Sequence, residues 1–190
     1  YWNKQKAYYQ GIANKQGQKK THRLYVLTRK RNHRTQDYIR KVARYIINYC
    51  MEHRIGTIVC GYNGDFKRSM NLGKITNQQF TQIPFGNLRE TLKGLCERYG
   101  MKYIEQEESY TSTASCLDLD EIPVYKPEQP YTGAFSGKRV HRGLYQFADG
   151  RMANADVNGA ANILRKSKQN FDYEELCRGL LDSPLRIRIS

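Results

Sequence analysis

Gly56-Thr57-Ile58-Val59-Cys60 decides the fold class. It is a short, apolar, β-branched run behind a glycine, the composition of a strand buried on both faces. Helical periodicity leads into it. Residues 35 to 54 place Ile39, Val42, Ala43, Ile46, Ile47 and Cys50 on one helix face, with Thr35 as N-cap and Asp37 in the first turn. Downstream, Leu88, Leu92 and Leu95 repeat with helical period from Asn87, and Gly100 closes that helix. A second strand runs from Met101 to about Glu107. Strand, helix, strand requires a crossover, which predicts two parallel strands in one sheet with helices packed on it. The fold class is α/β.

Further out, residues 109 to 152 lose periodicity and collect Pro123, Pro127, Pro130, Gly133, Gly137, Gly143 and Gly150, the mark of a long insertion. Order returns at Asn154, and Val157, Ala160, Ala161 and Leu164 mark one apolar helix face. A short helix, about Asp172 to Leu181, and the tail Leu185-Arg186-Ile187-Arg188-Ile189 end the sequence. The expected organisation is a basic segment over 1–34, a core over 35–108 and 153–170, an insertion over 109–152 and a tail over 171–190. The opening Tyr1-Trp2-Asn3, without an initiator Met, reads as the continuation of an upstream part. At 190 residues a single core is expected.

The chain carries 32 Lys and Arg against 18 Asp and Glu, a net +14, and the excess is uneven. Residues 1 to 54 hold 14 basic and 2 acidic side chains; the remainder is near balance. A basic region on a balanced body predicts a polyanion-binding surface. The basic run Lys19, Lys20, Arg23, Arg29, Lys30 and Arg31 has no adjoining apolar anchor, which favours nucleic acid over membrane; a solvated charged face is the plainer reading. With no run of about 18 apolar residues and no leader-like start, an intracellular soluble protein is expected. The five scattered cysteines, Cys50, Cys60, Cys96, Cys116 and Cys177, read as free thiols.

Two acidic stretches draw attention. Glu105-Gln106-Glu107-Glu108 ends the second strand, where alternation separates Glu105 and Glu107 from Glu108. Asp156 sits at the first turn of the helix that opens near Asn154. Carboxylates from different elements suit Mg²⁺ or Mn²⁺, which prefer oxygen ligands, and two such ions can activate water against a phosphodiester. The structural readings are an N-cap for Asp156 and a solvated strand end for the glutamates.

The segment Asp156-Val157-Asn158-Gly159-Ala160-Ala161-Asn162-Ile163 resembles the third catalytic motif of the RuvC-like nuclease domain of TnpB transposon proteins, relatives of the type V CRISPR effector nucleases. Further runs resemble one branch of that family: Gly61-Tyr62-Asn63, Phe66-Lys67, Asn71-Leu72-Gly73-Lys74, Gln79-Phe80, Ile83-Pro84-Phe85, Tyr110-Thr111-Ser112, Phe135-Ser136-Gly137-Lys138-Arg139 and Arg142-Gly143-Leu144-Tyr145. The resemblance implies a partial RNase H-like (RuvC-like) mixed sheet flanked by helices, with a long insertion before the last catalytic helix. It also implies Mg²⁺-dependent DNA cleavage by three acids, directed by a guide RNA. The third acid maps onto Asp156, and the first lies upstream of this chain, so an isolated fragment is expected not to cleave. The second is expected at the end of the strand over Thr57 to Cys60, where Cys60 and Gly61 stand instead; Asp65 lies past the match. Either the site is broken or Glu108 replaces that acid, with Glu107 in reserve.

Many relatives carry a zinc finger in the insertion. The corresponding positions here are Ser115, Asp118, Gln146 and Asp149, with Cys116 out of register by one, so no zinc is expected. Packing of Tyr125, Tyr131, Phe135, Tyr145 and Phe147, or ordering on nucleic acid, is expected to hold the loop instead. Lys138, Arg139 and Arg142 are candidate phosphate contacts, and Tyr145 or Phe147 a candidate base-stacking ring. The resulting expectation is the nuclease module of an RNA-guided DNA endonuclease, cytoplasmic and nucleoid-associated, with guide RNA and target DNA as partners and no obligate protein partner. The alternatives are a nuclease-inactive RNA-guided repressor and a structural RNA-binding module.

Overall fold

Thr21, with extended backbone (φ −128°, ψ 156°), accepts a hydrogen bond from Leu24 N–H at 3.3 Å and so caps a helix that runs from His22 to Glu52. The computed structural model describes residues 1–62, 84–126, 128–180, 184 and 187–189. The sequence readings on Asn63, Asp65, Phe66, Lys67, Asn71 to Lys74, Gln79, Phe80, Ile83, Pro127, Leu181, Leu185 and Arg186 lie outside these residues. The helix His22–Glu52, α2, follows α1 (Trp2–Lys15). Its start corrects the expectation at Thr35, whose hydroxyl instead donates to Arg31 O at 2.9 Å. That i−4 bond satisfies a threonine inside a helix, so nothing interrupts the helix there. The boundary drawn at residue 34 falls within α2, and most of the basic segment is helical.

The chain forms two compact units where one core was expected. The first comprises residues 1–54, 84–98 and 189–190. In it α3 (Phe85–Arg98) packs on α2 and opens with Pro84 O accepting from Asn87 and Leu88 N–H at 3.0 and 3.3 Å. The buried faces are Ile39, Ala43, Ile47 and Cys50 on α2 and Leu92 and Cys96 on α3. Burial pushes both thiols above their ordinary pKa. Periodicity announces that a helix face is buried without saying against what, which is why α2 was assigned to the sheet.

The second unit comprises, among the described residues, 55–62, 99–126, 128–180, 184 and 187–188. Its strands β1 (Thr57–Tyr62) and β2 (Lys102–Glu107) pair in parallel as expected, with Thr57 opposite Lys102 and Tyr62 opposite Glu107. Glu108 N–H extends the ladder to Tyr62 O at 3.2 Å. The insertion is more regular than its sequence pattern. β3 (Lys138–His141), β4 (Leu144–Gln146) and β5 (Met152–Asn154) form an antiparallel sheet in that order, with Gly143 at φ +82° in the tight β3–β4 turn. Among the described residues the strands thus form two separate sheets. Helices α4 (Ala155–Lys166) and α5 (Tyr173–Leu180) complete the unit. Its interior gathers Tyr145, Phe147, Ala153 and Ala155 against Leu117, and Cys116 and Ala161 against Val157 and Leu176. None of the five cysteines is in a disulfide among the described residues. No described helix is long and apolar enough to cross a membrane.

Candidate active site

Asp156 occupies the first turn of α4, but the capping task belongs to its neighbour. Asn154 Oδ1 accepts from Asp156 and Val157 N–H at 2.9 and 3.2 Å, which leaves the Asp156 carboxylate 87 % exposed. The positive end of the helix favours an anion there. Arg139 Nη2, from β3, lies 3.4 Å from Asp156 Oδ1 in an ion pair that water screens on both sides.

The two glutamates at the end of β2 have different fates. Glu107 receives Lys166 Nζ, from α4, and the Ser109 N–H at 2.6 Å. Lys166, 7 % exposed, also donates to Ser109 O at 3.2 Å and Pro123 O at 3.1 Å. Burial works to raise the Glu107 pKa, yet the hydrogen bonds and charge of Lys166 and Ser109 hold it below the usual carboxylate value. This corrects the reserve role given to Glu107, since its carboxylate ties α4 to the start of the insertion. The Glu108 carboxylate instead lies over Gly61. A Cβ built on Gly61 would collide with Glu108 Oε2 and come within 3.4 Å of Glu108 Cδ and 2.7 Å of Ile163 Cδ1.

The segment between these acids is locked from α4 by side chains that sequence reasoning passed over. Asn158 and Asn162 are fully buried. Asn158 Nδ2 donates to Ala114 O at 2.9 Å, and its Oδ1 accepts from Cys116 N–H at 3.0 Å. Asn162 Nδ2 donates to Thr111 O and Ala114 O at 3.0 and 2.7 Å and its Oδ1 accepts from Arg165 at 2.8 Å, while Arg165 also reaches Ser115 O and Asp120 O. The i, i+4 spacing of two asparagines was the signal available, because it puts both amides on one helix face.

Asp156 and Glu108 carry oxygen donors of the kind a divalent cation prefers, on different elements. Among the described residues no group of three or more His, Cys, Asp or Glu side chains is placed to hold a metal ion.

Residues 1–66 match the family model OrfB_IS605, described as a probable transposase, and residues 85–163 match the Cas12f1-like TNB domain. A solved structure described as the cryo-EM structure of the Cas12f1-sgRNA-target DNA complex shares this fold with a TM-score of 0.55 at 16 % identity, over 85 % of this chain and 40 % of that one. The chain is TnpB-like. It spans less than half the length of that solved chain. No match was found among curated proteins.

Near the positions that the resemblance sets against zinc ligands, hydrogen bonds link the chain to Asp118 and Asp120. Ser115 Oγ donates to Asp118 Oδ2 at 2.5 Å, and Ala148 N–H, between Gln146 and Asp149, donates to the same oxygen at 3.1 Å. Asp120 takes Ser115 N–H at 2.7 Å and the Ser136 hydroxyl at 2.5 Å. Carboxylates thereby bridge the two halves of the insertion.

The basic side chains lie where a polyanion can reach them. Lys19 and Lys20 are exposed between α1 and α2, and Arg29 and Lys30 are exposed on α2, with Arg31 half-buried. Arg29 lines a surface groove with Tyr25, Thr28, Asn32, His33 and Gln36. Arg23 stacks on the Tyr9 ring at 4.1 Å and bonds its hydroxyl, fastening α1 to α2. Lys138, Arg139 and Arg142 are exposed on the β3–β4 hairpin. The base-stacking roles are corrected. Tyr145 is fully buried, its hydroxyl donates to Thr113 O at 2.8 Å, and burial with Asp120 and Asp118 nearby pushes its pKa up to about 12. Phe147 is likewise buried. A separate ring cluster sets Tyr110 beside Tyr125, Tyr131 and Phe135, of which Tyr125 and Tyr131 are exposed.

Proposed function

We propose that this chain is the C-terminal nuclease module of a transposon-encoded, RNA-guided DNA endonuclease that hydrolyses phosphodiesters with Mg²⁺ or Mn²⁺. The observation that carries the reading is the Glu108 carboxylate standing over Gly61, the end of β1 where the resemblance expects the second acid. Asp156 supplies the third acid from the exposed first turn of α4. Their part is to hold the cation by oxygen donors; the cation, once bound, lowers the pKa of water and neutralises charge on phosphate. Lys138, Arg139 and Arg142 on the hairpin, with Lys19, Lys20, Arg29 and Lys30 on the helical unit, supply phosphate contacts to guide RNA and target DNA in a prokaryotic cytoplasm, at the nucleoid.

The test is cleavage of guide-matched DNA by the full-length protein in Mg²⁺, with Glu108→Gln and Asp156→Asn beside wild type. Loss of cutting in both variants with target binding retained is expected. Normal cutting by Glu108→Gln would remove Glu108 from the site. The absence of a carboxylate at Cys60 and Gly61 favours a second reading, a nuclease-inactive repressor; a wild type that binds its target without cutting would establish it.

A further inference from the structure

We propose that Gly61 is a positioning residue for the Glu108 carboxylate: the missing side chain at the end of β1 leaves the slot that Glu108 fills from the neighbouring strand. The inference rests on the assignment of Glu108 as a catalytic acid and adds the residue that admits it.

Glycine weakens a strand, because it gives up backbone freedom and packs nothing, so its presence in β1 calls for a reason. Backbone conformation is not the reason. Among the described residues the glycines with positive φ are Gly17, Gly100, Gly143 and Gly150, and Gly61 is not among them. Space is the reason. The register sets Gly61 opposite Gln106 and Tyr62 opposite Glu107, and the bond from Glu108 N–H to Tyr62 O carries the pairing one residue further. Glu108 therefore starts just beyond Gly61 on the adjacent strand, and its side chain folds back across it. Among the described residues, the three atoms nearest to a Cβ at residue 61 belong to the Glu108 carboxylate and Ile163 Cδ1, all at the ends of side chains. An added methyl therefore leaves strand and fold intact while the carboxylate and the Ile163 methyl give way. A displaced carboxylate is what a metal site tolerates least, since cation affinity depends on oxygen positions.

The slot also predicts reciprocity. A carboxylate reaching the same place from residue 61 itself serves when residue 108 is emptied.

The experiment uses the full-length protein and two readouts, Mn²⁺ affinity by calorimetry without nucleic acid and Mg²⁺-dependent cleavage of guide-matched DNA, with circular dichroism as the check on folding. Gly61→Ala is expected to keep the wild-type spectrum, bind Mn²⁺ at least about tenfold more weakly and cut correspondingly slowly, within the range that disturbed supporting residues produce. Gly61→Glu/Glu108→Ala is expected to bind and cut at least about tenfold better than Glu108→Ala alone. Wild-type affinity and cutting in Gly61→Ala would overturn the proposal while leaving Glu108 in place, and so would a folded double variant no better than Glu108→Ala. Glu108→Ala with wild-type affinity and cutting would instead sink the catalytic assignment beneath it, a separate failure.

Discussion

Replacing Asn162 by Ala tests whether α4 divides its signature into a working acid and a structural lock. The Asn162 side chain has no exposure and makes three hydrogen bonds, to Thr111 O, Ala114 O and Arg165. Each such bond contributes about 0.5–1.5 kcal/mol net, and a buried acceptor left without its donor costs about 1–3 kcal/mol. Ala114 O keeps the Asn158 donor and Arg165 keeps Ser115 O and Asp120 O, so the full penalty falls on the Thr111 carbonyl alone. The loss is then about 3 kcal/mol. In a chain of this size that lowers Tm by about 6–12 °C. Thermal unfolding followed by circular dichroism measures it, with Asp156→Asn in parallel. Asp156 is 87 % exposed, and a surface change of this kind stays within about ±0.5 kcal/mol. An Asn162→Ala melt within about 1 °C of wild type would refute the lock. An equally large drop in Asp156→Asn would mean that the acid is part of the scaffold.

Three more outcomes follow from the same geometry. Because the Glu107 pKa is lowered in the folded state, its pairing with Lys166 contributes stability above the ordinary value of 4.5 that is lost as pH falls through the folded pKa. Urea midpoints measured between pH 3 and 6 should therefore show a shallower acid-side decline in Glu107→Gln than in wild type, and parallel curves would refute the pairing. Asp118→Ala removes the acceptor shared by Ser115 and Ala148 and should cost about 2 kcal/mol, whereas a zinc-selective chelator with Mg²⁺ in excess should leave the wild-type Tm unchanged. A Tm lowered by that chelator would show that a metal, not a carboxylate, joins the two halves of the insertion. Changing Lys138, Arg139 and Arg142 together to Ala should weaken DNA or RNA binding and reduce the slope of log affinity against log salt by about 2–3. An unchanged slope would place the phosphate path elsewhere.

The parallel pairing of β1 with β2 was legible because Thr57 to Cys60 and Met101 to Glu107 flank a helical repeat, and a crossover that carries a helix returns the chain to the same end of the sheet. Leu88, Leu92 and Leu95 gave the helix between them to within about two residues, the usual margin at helix ends. The start of α2 was misread because Thr35 caps a helix or bonds back to Arg31 with equal ease, and only the preceding turns decide which. The β3–β4 hairpin was missed for a different reason. β3 is exposed along its whole length, so Lys138 to His141 shows no alternation to read. Asp156 was legible as an exposed acid through its motif. That Glu107 would be consumed by Lys166, and Tyr145 by Thr113, depended on partners 59 and 32 residues away, and no local pattern records such distances.

A carboxylate in a metal site is defined by where its oxygens lie, not by the strand that carries it. Adjacent parallel strands are about 4.8 Å apart, a span that the three side-chain carbons of a glutamate can cross, so an acid can change strands at the end of a ladder without moving its oxygens far. The exchange requires two things at once: a glutamate one residue beyond the pairing and an empty place diagonally across from it. Glu108 and Gly61 meet both conditions, and Ile163 closes the far side of the place. A chain that had simply lost its second acid has no reason to keep a glycine in a strand where the backbone does not need one. The combination therefore argues for relocation over decay, and it locates the cost of relocation in β1, where any added side chain competes with the carboxylate for the same volume.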